Sequence, residues 1–384
     1  MIQAANRLNQ TTEYYFSRKL KEVRGLAAAG HPIINMGIGS PDIAAPAQVT
    51  QAMITAMDDA VAHQYQSYTG IPALREAMTH FYQTHYEVSL DSESEVLPLM
   101  GSKEGIMHIS MAFLNPGDQV LIPNPGYPTY RAVAQLVEAT AVTYDLTQDT
   151  QWLPDLKALA EQDLSRVKLM WVNYPHMPTG AKANASMFGE LIAFAKAHSI
   201  LIVNDNPYSF VLNDAPSSLL ATPGAKEVAL ELNSLSKTFN MAGWRVGMLA
   251  GDASHLQQVL KVKSNMDSGM FYGIQKGAIA ALSMPKTWFE EMNALYQERR
   301  EALYTLVDLL GCSYDRKATG MFIWAQLPAG KTAEPFVDKL LHEKHIFIAP
   351  GTIFGSQGEG YIRFSLCVPL PKIEAAIKRF KQHK

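Results

Sequence analysis

Residues 228–250 read VALELNSLSKTFNMAGWRVGMLA: two short apolar runs, 228–232 and 246–250, separated by a polar segment that holds Ser234, Lys237 and Arg245. Each run has the length of a strand and is nearly all apolar, as expected where both faces of a sheet are covered. Working outward, similar runs recur at 96–100, 119–123, 167–172 and 200–204, and the segments between them carry helical periodicity. Strands alternating with helices predict a doubly wound α/β fold, with a mostly parallel central sheet and helices on both faces.

Beyond about residue 283 the pattern changes. A long helical stretch at 290–310, alternation at 321–327, a helix at 335–343, strand candidates at 345–349 and 361–366, and a basic amphipathic helix at 371–382 predict a smaller α+β domain. The expected division is 1–44 as an N-terminal arm and part of the small domain, 45–283 as the large domain, and 284–384 as the remainder of the small one. Charges on the last helix, including Lys372, Lys378, Arg379 and Lys381, read as a solvated face.

Composition excludes some functions. With 384 residues, 47% hydrophobic and 18% charged, and a formal charge of -3, the chain has no basic bias toward nucleic acid. Cys312 and Cys367 are too few for a disulfide framework and form no close-spaced metal pattern, which suits a reducing, cytoplasmic setting. Residues 1–16 lack the apolar core of a secretory signal, and no run approaches the ~18 apolar residues of a membrane span.

The polar clusters all follow apolar runs: Gly101, Ser102 and Lys103; Asn124 to Tyr127; Asn173; Asp205 with Tyr208; Ser234 with Lys237. Open α/β sheets bind ligands at the carboxyl ends of their strands, so these clusters predict one composite site. A lysine amine condenses with an aldehyde, and a hydroxyl with a guanidinium holds a phosphate dianion. That combination points to pyridoxal phosphate (PLP). Such a site also needs a carboxylate at the ring nitrogen, a phosphate cradle, an aromatic beside the ring and a cation for the substrate carboxylate. Asp205 supplies the carboxylate candidate; Gly101 to Gly105, opening the amphipathic run 106–114, supplies a cradle of backbone amides; Tyr127, in a proline-rich turn, supplies the aromatic. Taken singly, each has a plainer reading: a surface lysine, a capping aspartate, an ordinary turn, a loop tyrosine. Their joint placement is what argues for a site.

The segments 35–42 (NMGIGSPD), 65–75 (YQSYTGIPALR), 101–105, 124–127, 173–180 (NYPHMPTG), 204–208, 234–247 and 361–365 resemble, in order, those of class I/II aminotransferases of PLP fold type I. The likeness covers nearly the whole chain. It implies that Lys237 joins the cofactor and later moves the proton at the substrate Cα, and that Asp205 pairs with the ring nitrogen. By the same likeness, Asn173 and Tyr208 bond the phenolic oxygen, while Gly101, Ser102, Lys103, Ser234 and Arg245 hold the phosphate, with Tyr127 beside the ring. Arg363 grips the substrate α-carboxylate as a bidentate fork, helped by the Gly39 amide and Asn173. Tyr65 reaches the phosphate of a neighbouring subunit, so the resemblance implies a homodimer with shared sites, acting on amino acid and 2-oxo acid substrates.

There are departures. His176 and Met177 stand where many relatives carry two asparagines, and the loop 266–271, which in dimeric relatives lies near the partner's pocket, has no arginine. The strings at 101–106 and 267–275 resemble a branch holding diaminopimelate, aspartate and alanine aminotransferases. Other motifs are weaker. Residues 325–332 imitate a phosphate loop but lack its first glycine, Ser234 to Lys237 matches a penicillin-binding nucleophile motif without its partner motifs, and 37–39 lacks the third glycine of a dinucleotide site. His342 and His345 lack a metal-site context, and no metal is expected. Two alternatives stay open: another PLP reaction, such as β-elimination, decarboxylation or racemisation, and a noncatalytic PLP-binding regulator.

Overall fold

The computed structural model describes residues 2–8 and 15–381. Its strands, in chain order, are β1 (Ile34–Asn35), β2 (Val96–Leu99), β3 (Gln119–Asn124), β4 (Thr140–Asp145), β5 (Val167–Val172), β6 (Leu201–Asp205) and β7 (Ala229–Ser234). They continue with β8 (Gly247–Gly251), β9 (Ser313–Tyr314), β10 (Phe322–Gln326), β11 (Ile346–Phe347), β12 (Ala349–Pro350) and β13 (Tyr361–Ser365). A seven-stranded sheet has the order β2-β8-β7-β6-β5-β3-β4. From β7 outward to β4 every neighbouring pair is parallel, whereas β8 runs antiparallel to both β2 and β7.

Alternation along the strands builds two apolar layers. Leu201 and Val203 pack with Leu230, Leu249, Ile106 and Ile109 on one face, while Ile202 between them joins Phe81, Tyr82 and Leu191 on the other. Full burial of each large apolar side chain stabilises the fold by roughly 1.5–3 kcal/mol. Helices Ser102–Phe113 and Ala253–Lys263 cover the first face, and Pro72–Tyr86 and Ala185–His198 the second.

A four-stranded antiparallel sheet, β12-β13-β10-β9, packs with helices Lys286–Leu309, Ala333–Lys344 and Leu370–Lys381 around Leu303, Phe347, Phe364 and Ile373. The short β1 pairs in parallel with β11, fastening the segment that leads to Gly37 and Gly39 onto this second body. Arg379 secures the same junction, donating to the carbonyls of Pro32 at 2.7 Å and Lys344 at 3.0 Å, so this half-buried charge of the last helix also serves as a fastening. His342 pairs with Glu22 at 3.1 Å on the surface, and His345 caps helix Ala333–Lys344 in the left-handed conformation.

Candidate active site

Adjacent strands β6 and β7 end side by side, with Asp205 in register with Leu232. Two residues on, Ser234 caps the short helix Leu235–Thr238, its hydroxyl accepting from the Ser236 amide at 3.2 Å, and this helix carries Lys237. The chain then makes the tight turn Ala242–Trp244 and passes through Arg245, whose left-handed φ of 57° lets it double back into antiparallel β8. Arg245 Nη1 closes the turn by donating to the Ala242 carbonyl at 2.9 Å. Lysine and arginine therefore stand at the same end of the sheet as Asp205.

Gly101, at φ 93°, precedes helix Ser102–Phe113, and a Cβ there would collide with the Arg245 guanidinium. Glycine is required both by the positive φ and by this close approach. The result is a helix N-terminus whose first amides, at Ser102 and Lys103, face the same space as Arg245, an arrangement suited to a phosphate.

These groups line a cavity of about 500 Å³ together with Gly39, Tyr127, Asn173, Asp205, Tyr208, Ser234, Lys237 and Arg363. Asp205 is 5% exposed. Its Oδ2 accepts a 2.9 Å hydrogen bond from the Tyr130 hydroxyl, but its buried Oδ1 has no partner. Burial pushes its carboxyl up to about 6, against a smaller opposing pull from the Tyr130 bond. Lys237 Nζ donates to the Gly39 carbonyl at 2.5 Å, and burial draws the amine below the ordinary lysine range. Cys367 opposes this, and the charges of Arg363 and Arg245 add to it.

Arg363, on β13, is 5% exposed and donates from Nη2 to the Gly37 carbonyl at 2.7 Å. Its guanidinium lies 4.0 Å from the Phe322 ring centre and 4.7 Å from that of Phe354, while Nη1 is 3.4 Å from the Met177 sulfur. Phe322 also closes against Gly39, where any Cβ would meet its ring. Tyr208 packs edge-on to Phe322 at 5.7 Å, and burial raises its hydroxyl far above the ordinary tyrosine range. Tyr127 stands edge-on to Tyr130 at 5.6 Å.

Asn173 is turned inward. Its amide nitrogen donates to the Asp205 carbonyl, and its oxygen accepts from the Met177 amide at 2.9 Å. Both ends of the side chain thus bind backbone. His176 is buried beside Thr179 at 2.8 Å, outside the cavity lining, and burial lowers it to about 3, so it is neutral at physiological pH. Behind β6, Asn204 donates to the fully buried Glu231 at 2.9 Å, which also accepts from Ser218, Leu219 and Tyr82.

Tyr65 is not in this cavity; it is 91% exposed. Tyr130, Phe322 and Phe354 are site residues the sequence did not single out. Stacking on Trp171 at 5.0 Å fixes the Tyr130 ring, and no spacing or motif in the sequence signals that contact. Elsewhere, ligand atoms of Glu104, His108 and Asp267 come within 4.8 Å of one another, but Lys263 lies 2.9 Å from Asp267 and already supplies the positive charge there.

Residues 31–380 match the family described as aminotransferase class I and II. The chain is 38% identical to an LL-diaminopimelate aminotransferase of Dehalococcoides mccartyi over 100% of this chain and 99% of that protein. To the protein of the same name from Aquifex aeolicus it is 37% identical over 100% of both. Among solved structures, substrate-bound BacF from Bacillus subtilis superposes with a TM-score of 0.95 at 34% identity, covering 100% of this chain and 98% of that one. A probable N-succinyldiaminopimelate aminotransferase from Thermus thermophilus gives 0.88 at 33% identity, over 96% and 100%.

Proposed function

The chain belongs to the class I and II aminotransferase family, enzymes of PLP-dependent amino-group transfer, and on that premise we propose that PLP binds in the cavity at the ends of β6 and β7. An L-amino acid is converted there to its 2-oxo acid, and a second 2-oxo acid is converted to its amino acid, the two half-reactions alternating at one site.

The observation that carries this reading is the unpartnered, buried Oδ1 of Asp205 in the same cavity as Lys237, Arg245 and Arg363. A pyridinium N–H would satisfy that oxygen, and its positive charge would offset the desolvation that raises the carboxyl. A phosphate dianion suits Arg245, Ser234 and the amides of Ser102 and Lys103. The residues fit the group. When bound, PLP supplies an aldehyde for an amine and a ring that draws electrons from the substrate Cα.

The remaining work falls to the chain. Lys237, its amine drawn by burial below the ordinary lysine range and so more readily free of its proton, takes and returns the proton at Cα through Nζ. Arg363 orients the substrate by its carboxylate, with the Gly39 segment beside it. Tyr208, whose hydroxyl stays protonated, would donate to the phenolic oxygen of the bound cofactor. Asn173, which lines the cavity and keeps a second amide N–H besides the one given to the Asp205 carbonyl, would donate to the same oxygen. Tyr127 packs beside the ring.

In this reading residues 45–283 carry the cofactor, 1–44 and 284–384 form the second body, and Tyr65 completes the phosphate site of a partner subunit in a homodimer. Its exposure supports that role. Among the described residues no helix is long and apolar enough to cross a membrane, and the two free cysteines favour a cytoplasmic setting.

The test is to mix PLP-loaded protein with single amino acids, follow the cofactor spectrum and identify the products. Conversion of the cofactor to its amine form with release of the matching 2-oxo acid supports the proposal. Ammonia, carbon dioxide or inverted amino acid, with the cofactor left in its aldehyde form, overturns it.

A further inference from the structure

We propose that the amino acid preferred by this site has an uncharged, apolar or aromatic side chain, held against Leu20, Ile38 and Phe322, and no second charged end. The inference rests on the aminotransferase reading and concerns the part of the cavity which that reading leaves unassigned.

The charges facing the cavity from the described residues are Lys103, Asp205, Lys237, Arg245 and Arg363. Lys103 and Arg245 lie at the phosphate end, Asp205 at the ring floor, Lys237 at the reacting centre and Arg363 at the α-carboxylate. Each is committed. Of the uncharged wall, Ser102, Ser234, Asn173, Tyr127 and Tyr208 belong to the cofactor in that reading, and the part left around Arg363 is Leu20, Ile38, Met177, Phe322 and Phe354, with the hydroxyl of Ser17 at its edge. Arg363 itself is sheathed by Phe322, Phe354 and the Met177 sulfur, so a substrate gripped by its carboxylate brings its side chain into an apolar shell.

A second copy of the chain would add surface of the same kind. The loop 266–271 is bound to the Tyr65 segment: Gly269 packs on the Gln66 carbonyl, and Lys263 bridges Asp267 at 2.9 Å to the Tyr68 carbonyl at 2.8 Å. The large side chains this joint surface exposes are Tyr65, Tyr68, Met266, at 59%, and Phe271, at 45%, with the small Ser67 and Ser268 among them, while its acid is already neutralised by Lys263. A distal ammonium or carboxylate placed against such walls loses water and gains no opposite charge there, whereas an apolar side chain gains by leaving water. The far end of diaminopimelate carries both charges, so the preference separates this chain from the named substrate of its relatives.

The experiment uses the full-length PLP-loaded protein. Single-turnover absorbance changes are recorded with L-leucine, L-methionine, L-phenylalanine, LL-diaminopimelate, L-glutamate and L-lysine. The best apolar amino acid is expected to exceed every charged one by about 10-fold or more in apparent second-order rate constant. Spectral titration with unreactive 4-methylpentanoate and glutarate gives a readout apart from turnover, and the monocarboxylate is expected to bind about 10-fold tighter. Leu20→Arg should move the ranking toward glutamate. A charged amino acid that matches or beats the best apolar one, or glutarate binding as tightly as 4-methylpentanoate, overturns the specificity while leaving the aminotransferase reading intact. Failure of every amino acid to convert the cofactor overturns both.

Discussion

The Tyr130 hydroxyl donates to one oxygen of Asp205 at 2.9 Å and leaves the other, equally buried, without a partner. A site arranged this way is unstable by itself and ready for a cation. With a carboxyl raised from 3.8 to about 6, the folded chain binds a proton that the unfolded chain has released across that interval, so this contribution to stability is lost as pH rises through 6. At about 1.36 kcal/mol per pKa unit the cost at pH 7 is about 3 kcal/mol. Asp205→Asn should therefore stabilise the apo-protein at pH 7 by up to that amount, with a gain that shrinks as pH falls from 6 towards 4, while weakening PLP binding. Urea midpoints of both apo-proteins across this range, with PLP titrations, check it.

Lys237→Ala should remove the covalent attachment while leaving Ser102, Ser234 and Arg245 to hold the phosphate. PLP then dialyses away without needing a competing amine, and transamination falls by at least about 10²–10⁴-fold, the usual reach of acid–base catalysis. Turnover near that of the parent would refute the assignment.

Arg363 is placed by two aromatic rings and the Gly37 carbonyl, and its planar fork is what matches a carboxylate. Arg363→Lys keeps the charge and loses the fork. A charged hydrogen bond is worth about 1.5–3 kcal/mol, so kcat/KM for amino acids should drop roughly 10–100-fold while PLP affinity is retained. Equal losses in both would mean that the variant damages the fold.

Tyr65 can serve a partner's site only in trans. Mixed dimers of Lys237→Ala and Tyr65→Ala chains contain one site with both native residues. Activity should reappear on mixing and subunit exchange, and its absence would exclude the shared-site arrangement.

His176 titrates in the opposite sense to Asp205. Burial lowers it from 6.5 to about 3, so between these values the unfolded chain takes up a proton that the folded one refuses, and stability falls as pH drops below 6.5. The full effect is about 5 kcal/mol. His176→Asn removes the titrating group, and its apo-protein should lose less in melting temperature between pH 7 and pH 5 than the parent. An unchanged pH slope would show that another group governs acid lability.

The central strands were legible because β5, β6 and β7 are covered on both faces and read as apolar runs. The edge strand β4, TAVTYD, buries only Tyr144 and so carries no such run. β1 and β9, two residues each, are too short to make a pattern. The reversed direction of β8 was equally hidden, since an apolar run reads the same whichever way it pairs. In the site, Lys237, Asp205 and Arg245 followed from chemistry at strand ends, but Arg363 came only from family resemblance. Tyr130, Phe322 and Phe354 were illegible because an aromatic in a helix or strand looks like core until its neighbours are known. The inward turn of Asn173 depends on a carbonyl 32 residues away and has no local signal.

The pairing of β1 with β11 bears on how the protein is made. Gly37 and Gly39 leave the ribosome long before Lys237, yet the strand that fixes them, residues 346–347, and the arginine they adjoin come late in translation. Between the synthesis of Arg245 and that of Arg363 the nascent chain can already have a phosphate cradle and a buried lysine, but nothing to orient an amino acid. Reactivity toward aldehydes thus precedes the ability to choose a substrate, and a ribosome stalled before residue 346 would display a lysine without a clamp.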